Sequence, residues 1–318
     1  MRVAGIDCGT NSIRLLIADV DADGVLTDVV RTMHIVRLGQ GVDRTGWFDP
    51  QALERTFAAI DEYAQLIKQH QCEAVVFAAT SATRDASNRD MFIEGVYDRL
   101  GVWPRVLSGE EEARTSFAGA MSAVHNPAGP LVAVDLGGGS TELVLGDSDG
   151  NVLSAFSMDV GSVRMRERRM VSDPATAEEI TAARQDIAQA LDEAERVVDL
   201  SQARTVLGLA GTITSVAALA LDLTEYDSDR IHGLQMSVAQ IDETTQWFID
   251  STLAQRQAVP FLHPRRADVM GAGALVWQEV IHRIAQRSAE AGHQLESITI
   301  SEHDILDGLA LMAAGVAG

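Results

Sequence analysis

The sequence predicts an α/β fold made of two similar domains, and three observations predict it. The first is an internal repeat. Residues 3–19 (VAGIDCGTNSIRLLIAD) and 131–147 (LVAVDLGGGSTELVLGD) share an apolar run, an Asp-x-Gly-x-x-Ser turn and a second apolar run, offset by 128 residues. Continuous apolar runs around a Gly-rich turn read as two buried strands joined by a hairpin. Two such hairpins at one offset with matching flanks point to a duplicated domain. The second observation is the alternation of strand-like and helix-like patterns, which is the mark of the α/β class. The third is size: 318 residues with 46% apolar content suit two domains with ordinary cores. The boundary is expected at a hinge near residue 120, giving domains 1–120 and 121–318, with the last helix able to pack back on the first domain.

The elements follow in order. Asp49 and Pro50 form an N-cap and a first-turn proline, and Leu53, Phe57, Ile60 and Ile67 mark the buried face of the helix they start. Ala74 to Thr80 reads as a strand, and Arg105 to Leu107 as a short strand leading into a helix near Glu110. After the second hairpin, Asp173 and Pro174 are expected to start a helix with Ile180, Ile187, Leu191 and Val198 on its apolar side. Val206 to Leu209 is a strand running into Gly211-Thr212 and an apolar helix. Helical patterns cover 239–253 and 264–286, and Ile298 to Ile300 is a strand. Ser301 and Asp304 make a capping-box pattern for a last helix reaching about Ala314.

Charge and cysteine content narrow the function. Lys+Arg is 25 against Asp+Glu 46, a net charge of −21, which argues against broad nucleic-acid or anionic-membrane surfaces. Lys68 is the only lysine, so nearly all the basic side chains are arginines, which suit bidentate capture of phosphate. Two cysteines, Cys8 and Cys72, do not make a disulfide framework. Together with the absence of a signal peptide and of any apolar stretch of transmembrane length, they place the protein in the cytoplasm.

The chemistry concentrates in five motifs. In both hairpins, glycine frees the backbone for positive φ and lets N–H groups converge on one point, a concavity that binds phosphate oxygens. Ser12, Ser140 and Thr141 add hydroxyl donors, and Asp7 and Asp135 end the two strands where a carboxylate can hold Mg²⁺. The turn runs into a strand and lacks Gly-Lys-[Ser/Thr], so it is not a P-loop. A third turn, Gly208 to Thr212, opens a helix whose N-terminus can receive an anion. Ala79-Thr80-Ser81-Ala82-Thr83-Arg84 follows a buried strand at the end where α/β proteins place ligands, and Arg84 is suited to clamp a phosphate. Finally, Ser108-Gly109-Glu110-Glu111-Glu112 starts a helix. Successive helical side chains point about 100° apart, so one or two of these glutamates face a site. Phosphoanhydride hydrolysis needs a carboxylate to deprotonate water, and one of the three is the candidate base.

Taken in order, IDCGTNSIRLLI, ATSATRDA, SGEEEAR, VDLGGGSTELVLG and GLAGTITS resemble the exopolyphosphatase/guanosine pentaphosphate phosphatase family along essentially the whole chain. The ending SEHDILDGLAL resembles its short, two-domain actinobacterial members. The resemblance implies duplicated ribonuclease H-like domains of the actin, sugar-kinase and heat-shock ATPase superfamily, flanking a phosphate-binding cleft. It implies that Glu112, before Ala113, is the catalytic glutamate, with Glu111 its neighbour and Arg84 the family's arginine. Asp135 takes a metal role, Glu142 supports the metal, and Gly137, Gly138, Gly139, Ser140 and Thr141 bind phosphate. Asp7, Gly9, Thr10, Asn11 and Ser12 form the equivalent first loop, and Gly211 and Thr212 the third.

The cofactor implied is Mg²⁺, with Mn²⁺ as a substitute, and the substrates are inorganic polyphosphate or guanosine pentaphosphate. A kinase-like phosphotransferase of the same superfamily and a non-catalytic binder of polyphosphate or alarmone are the alternatives. SGEEEA and ATSATRD favour the hydrolase over the first, and intact Glu112 and Asp135 over the second. Longer family members carry a C-terminal helical module that this sequence lacks. Short polyphosphate or a nucleotide polyphosphate is therefore the expected substrate, unless Arg164, Arg166, Arg168 and Arg169 line a channel across the interface of the expected homodimer.

Overall fold

The two apolar runs of the first repeat form β1 (Arg2–Cys8) and β2 (Ser12–Val20), an antiparallel hairpin in which Asp7 stands opposite Arg14. β3 (Leu26–Ile35) continues the meander on the far side of β2. β4 (Ala74–Ala79) runs parallel to β1, and the short β5 (Arg105–Val106) parallel to β4, giving the order β3-β2-β1-β4-β5. The second repeat does the same. β6 (Leu131–Leu136), β7 (Thr141–Gly146) and β8 (Val152–Met158) form an antiparallel meander. β9 (Thr205–Leu209) lies parallel to β6. β10 (Gln235–Met236) and β11 (Ser297–Ile300) complete the order β10-β11-β9-β6-β7-β8. Both sheets thus have the strand order of one duplicated α/β unit, as the repeat implied.

This computed structural model describes residues 1–121, 129–295 and 297–315; the hinge expected near residue 120 borders residues 122–128, which lie outside the described residues. The chain divides into two units, residues 1–123 with 303–318 and residues 124–302. The first unit's core joins Ile6, Ile13 and Leu15 of the hairpin to Phe77 and to Tyr63 and Phe92 of the flanking helices. The second joins Val132, Val134 and Leu143 to Val206, Trp277 and Ile281. The last helix packs back on the first unit. Leu306 and Ala310 pack with Val3, Leu16 and Ala18, and Ile305 and Leu309 with Ala78 and Leu107, all in the first unit. The helix carrying them, Ile305–Ala313, seats Gly308 so closely on helix Gly109–Met121 that a Cβ there would collide with the Thr115 carbonyl.

Two helix starts differ from expectation. The last helix is capped by Asp304, with Asp307 as the reciprocal partner, instead of by Ser301 with Asp304. The helix expected to start at Asp173 and Pro174 starts at Ala177, where Thr176 and Glu179 form the capping box. Asp173 instead binds Arg256 at 3.0 Å and accepts the Leu253 N–H. The pattern expected over 264–286 becomes the helix Met270–Glu290.

Candidate active site

The base candidate sits in the first unit. Ser108 caps helix Gly109–Met121: its Oγ accepts the Glu111 N–H, and the Glu111 carboxylate accepts the Ser108 N–H at 2.8 Å. Glu111 is therefore engaged as the capping-box acid, and its carboxyl is held below the ordinary range chiefly by that backbone bond. Glu110 pairs with Arg114 one turn on, in solvent. Only Glu112 turns inward, at 8% exposure. The 100° helical step thus sorts three adjacent glutamates into a cap, a surface pair and a buried acid.

Glu112 receives Arg84 Nη1 at 2.6 Å, and the same nitrogen donates to the Leu107 carbonyl at 2.9 Å. Arg84 comes from the short helix Ser81–Asp85 at the end of β4. Burial raises the Glu112 carboxyl to about 7, with Arg84 and a hydrogen bond from Thr80 pulling down and Asp7 pushing further up. Asp7 is buried as well, with Arg14 Nε and Nη2 both on its Oδ2, at 3.0 and 2.7 Å. Burial outweighs that pairing and raises its carboxyl too. Thr80 Oγ1 lies under Gly9, 3.9 Å from where a Cβ would be. β1, β4 and one helix start thus bring together Asp7, Gly9, Thr80, Arg84 and Glu112.

The hairpin loops are built alike. Gly9 donates its N–H to Ser12 O, and Gly137 to Ser140 O, each at 3.0 Å. In the second unit, the carbonyls of Gly137, Gly138 and Gly139 are taken by the N–H groups of Ser162, Val163 and Arg164 and by Arg164 Nε, the last at 2.6 Å. A planar trans peptide points its N–H opposite its C=O. The N–H groups of Gly138, Gly139 and Ser140 are thereby turned to the other side, an arrangement able to receive an anion. In the first unit, Gly39 takes the Thr10 carbonyl, and Val36 and Arg37 take that of Asn11, turning the Asn11 and Ser12 N–H groups outward in the same way.

Size matters at two of the glycines, since a Cβ on Gly137 would lie 3.1 Å from the Ser140 carbonyl and one on Gly211 would collide with the Arg266 guanidinium. None of Gly9, Gly137, Gly138, Gly139 and Gly211 takes positive φ, contrary to the expectation for these turns. The strained position is Ala210, at φ 70, where β9 enters helix Ala210–Ala220. Strain of this kind in a non-glycine residue collects at functional sites.

Other expected residues divide. Ser140 is buried at the loop, whereas Thr141 gives its hydroxyl to the Val160 carbonyl at 2.6 Å and so anchors the loop from behind. Thr212 packs against Gly273 and beside Ser162, which joins the third turn to the second hairpin. Thr10 packs its methyl against Gly39, and Asn11 keeps a buried Oδ1 without a hydrogen-bond partner. Asp135 stands directly opposite Glu142 across β6 and β7, both buried, and Glu142 accepts the Ser157 hydroxyl at 2.7 Å.

Sequence reasoning missed Arg266, whose guanidinium lies on Gly211 and donates to its carbonyl at 3.2 Å. It also missed Thr80 and Arg14 as partners of the two acids. None has a local signature: each is recruited by register or by a distant loop.

A family model for the Ppx/GppA phosphatase family matches residues 16–294. Exopolyphosphatase 2 of Mycobacterium tuberculosis is 48% identical over 322 residues, covering 99% of both chains. A guanosine-5′-triphosphate,3′-diphosphate pyrophosphatase of Pseudoalteromonas atlantica is 32% identical over 73% of this chain and 45% of its own. Among solved structures, an exopolyphosphatase-like protein superposes with a TM-score of 0.93 at 44% identity, covering 98% of each chain. The Aquifex aeolicus family member does so at 0.78 and 29%, over 99% of this chain and 97% of its own. With the family model spanning most of its length and a family relative 48% identical along essentially all of it, the chain belongs to the Ppx/GppA phosphatase family.

Proposed function

We propose that this phosphatase removes the terminal phosphate from inorganic polyphosphate, short chains above all, and from the 5′ end of guanosine pentaphosphate. The observation that carries the reading is Glu112: a buried carboxylate with a proton affinity near neutrality, oriented by Arg84 and Thr80. Such a group can take a proton from water at physiological pH. In this reading Glu112 deprotonates the attacking water and Arg84 neutralises charge beside it. The outward-turned N–H groups of Asn11 and Ser12, in the same unit, meet the charge that builds on the phosphoryl oxygens. The names of the relatives supply the substrate class.

The donor set fits a divalent cation. Asp135 and Glu142 are buried in register on one face, their Cβ atoms about 5 Å apart. Among the described residues no group of three or more His, Cys, Asp or Glu side chains could hold a metal. One or two carboxylates completed by water and substrate oxygens suit Mg²⁺, or Mn²⁺ in its place. The ion supplies charge neutralisation at the phosphates. A cytoplasmic setting, in keeping with two free thiols, and a homodimer go with this reading. No described helix is long and apolar enough to cross a membrane.

Phosphate release from short polyphosphate, long polyphosphate and guanosine pentaphosphate, measured side by side with Mg²⁺, tests the proposal. Release from short chains or from the nucleotide is expected; no release from any of the three would sink it.

A further inference from the structure

Asp304 belongs to the C-terminal segment, far in sequence from both hairpins, yet it lies against the first one. It is 3% exposed and uses its two carboxylate oxygens for different tasks. Oδ1 accepts the Leu306 N–H at 3.0 Å and caps helix Ile305–Ala313. Oδ2 accepts Arg14 Nη1 at 2.5 Å. The rest of that guanidinium, Nε and Nη2, is spent on Asp7 Oδ2. Arg14 thus has one carboxylate on each side, and both of its ion pairs are largely shielded from water.

The helix that Asp304 caps is itself fixed. Gly308 presses on the Thr115 carbonyl, and Gly119 lies so close under the Asp304 carbonyl that neither tolerates a Cβ. Thr115 and Gly119 belong to the helix whose first turn carries Glu112. Asp304 is therefore held by the same helix that holds the base. Through Arg14, it fixes the carboxylate at the end of β1. A buried pair of this kind is weak evidence of stabilisation, because desolvation offsets much of the Coulomb gain, but it does define one geometry.

We infer that Asp304 is a positioning residue for the hydrolytic site: through Arg14 it sets the Asp7 carboxylate relative to Glu112. The inference rests on the reading that Asp7 and Glu112 serve one reaction. Nothing in the capping role alone requires the bond to Arg14.

Asp304→Asn separates the two tasks. Asparagine caps a helix as well as aspartate does, so the melting temperature should stay close to that of the parent. The charge that holds Arg14 is lost, so kcat should fall about tenfold or more with KM little changed, since misplacement by about 1 Å can cost about 10²-fold. In an Arg14→Met background the same substitution should cost nothing further, because the two residues act as one unit. A crystal structure of the Asp304→Asn protein should show Arg14 turned away from Asp7 with the helix intact. Parental kcat, or an equal loss in both backgrounds, would overturn the inference. If the parent protein releases no phosphate, the functional reading fails by itself, and the crystal structure decides this one: Arg14 unmoved on Asp7 refutes it.

Discussion

Glu142 stands opposite Asp135 in the β6–β7 ladder, at the place where the first repeat sets Arg14 opposite Asp7. The duplication has kept the two aspartates and inverted the charge of their partners. At Asp7 the guanidinium neutralises the carboxylate directly, at 2.7 Å. At Asp135 the facing residue is a second buried acid, so the cross-strand pair is acidic on both sides. Two carboxylates in register repel, and a divalent cation bound there would relieve that repulsion.

The two aspartates should therefore differ in metal dependence. Asp135→Asn is expected to raise the Mg²⁺ concentration for half-maximal activity by about 10-fold or more, as loss of groups around a metal typically costs 10–100-fold in affinity. Asp7→Asn should act mainly on kcat, because Arg14 already balances its charge. Titrating activity with Mg²⁺ for each variant checks this, and a larger Mg²⁺ shift for Asp7→Asn would reverse the assignment.

The glutamates of the 110–112 run make the second prediction. Glu112→Gln should lower kcat by at least about 10²-fold with substrate binding nearly intact, the usual cost of removing a general base. Glu111→Gln keeps a side-chain acceptor for the cap and should leave kcat close to that of the parent. The base works unprotonated, and burial has raised Glu112 to about 7. The kcat/KM profile should thus fall as pH drops through neutrality instead of near the ordinary glutamate value. Arg84 lowers the Glu112 carboxyl, so Arg84→Met should move this limb to higher pH in whatever activity remains. A limb near pH 4.5 in the parent, or a severe Glu111→Gln, would contradict the assignment of the base.

What the sequence made legible was local or repeated. The hairpins announced themselves because Asp, Gly and Ser recur at one offset, and the 100° helical step already implied that the three glutamates could not share a role. What it hid was set by register and by long-range return of the chain. Arg14 meets Asp7 only because β1 and β2 pair in a register that sets residues seven positions apart opposite each other. Asp304 reaches the same hairpin only because its helix closes on β1 and on helix Gly109–Met121. Glycine was misjudged for a related reason. Its expected freedom at positive φ is unused in these loops. Gly161, for instance, is needed because a Cβ there would come within 2.7 Å of the Gly138 backbone.

The last prediction concerns substrate length. Each unit of polyphosphate carries about one negative charge, and exposed charges interact mainly within a Debye length of about 8 Å at physiological salt. A protein of net charge −21 can hold a polyanion only where specific donors face it. The arginine run at 164–169 was the obvious reserve, and its members have other employment. Arg164 is buried with its Nε on the Gly139 carbonyl, Arg166 donates to the Met170 carbonyl, and Arg169 is paired with Asp186 at 2.7 Å. Freeing Arg164 for a distant phosphate would release the Gly139 carbonyl that it holds. Affinity should therefore grow over the first handful of units and then level off. Measuring kcat/KM against chain length decides it: a plateau after a handful of units is expected, whereas a continued rise to chains of hundreds of units would show a basic path that this arginine run does not provide.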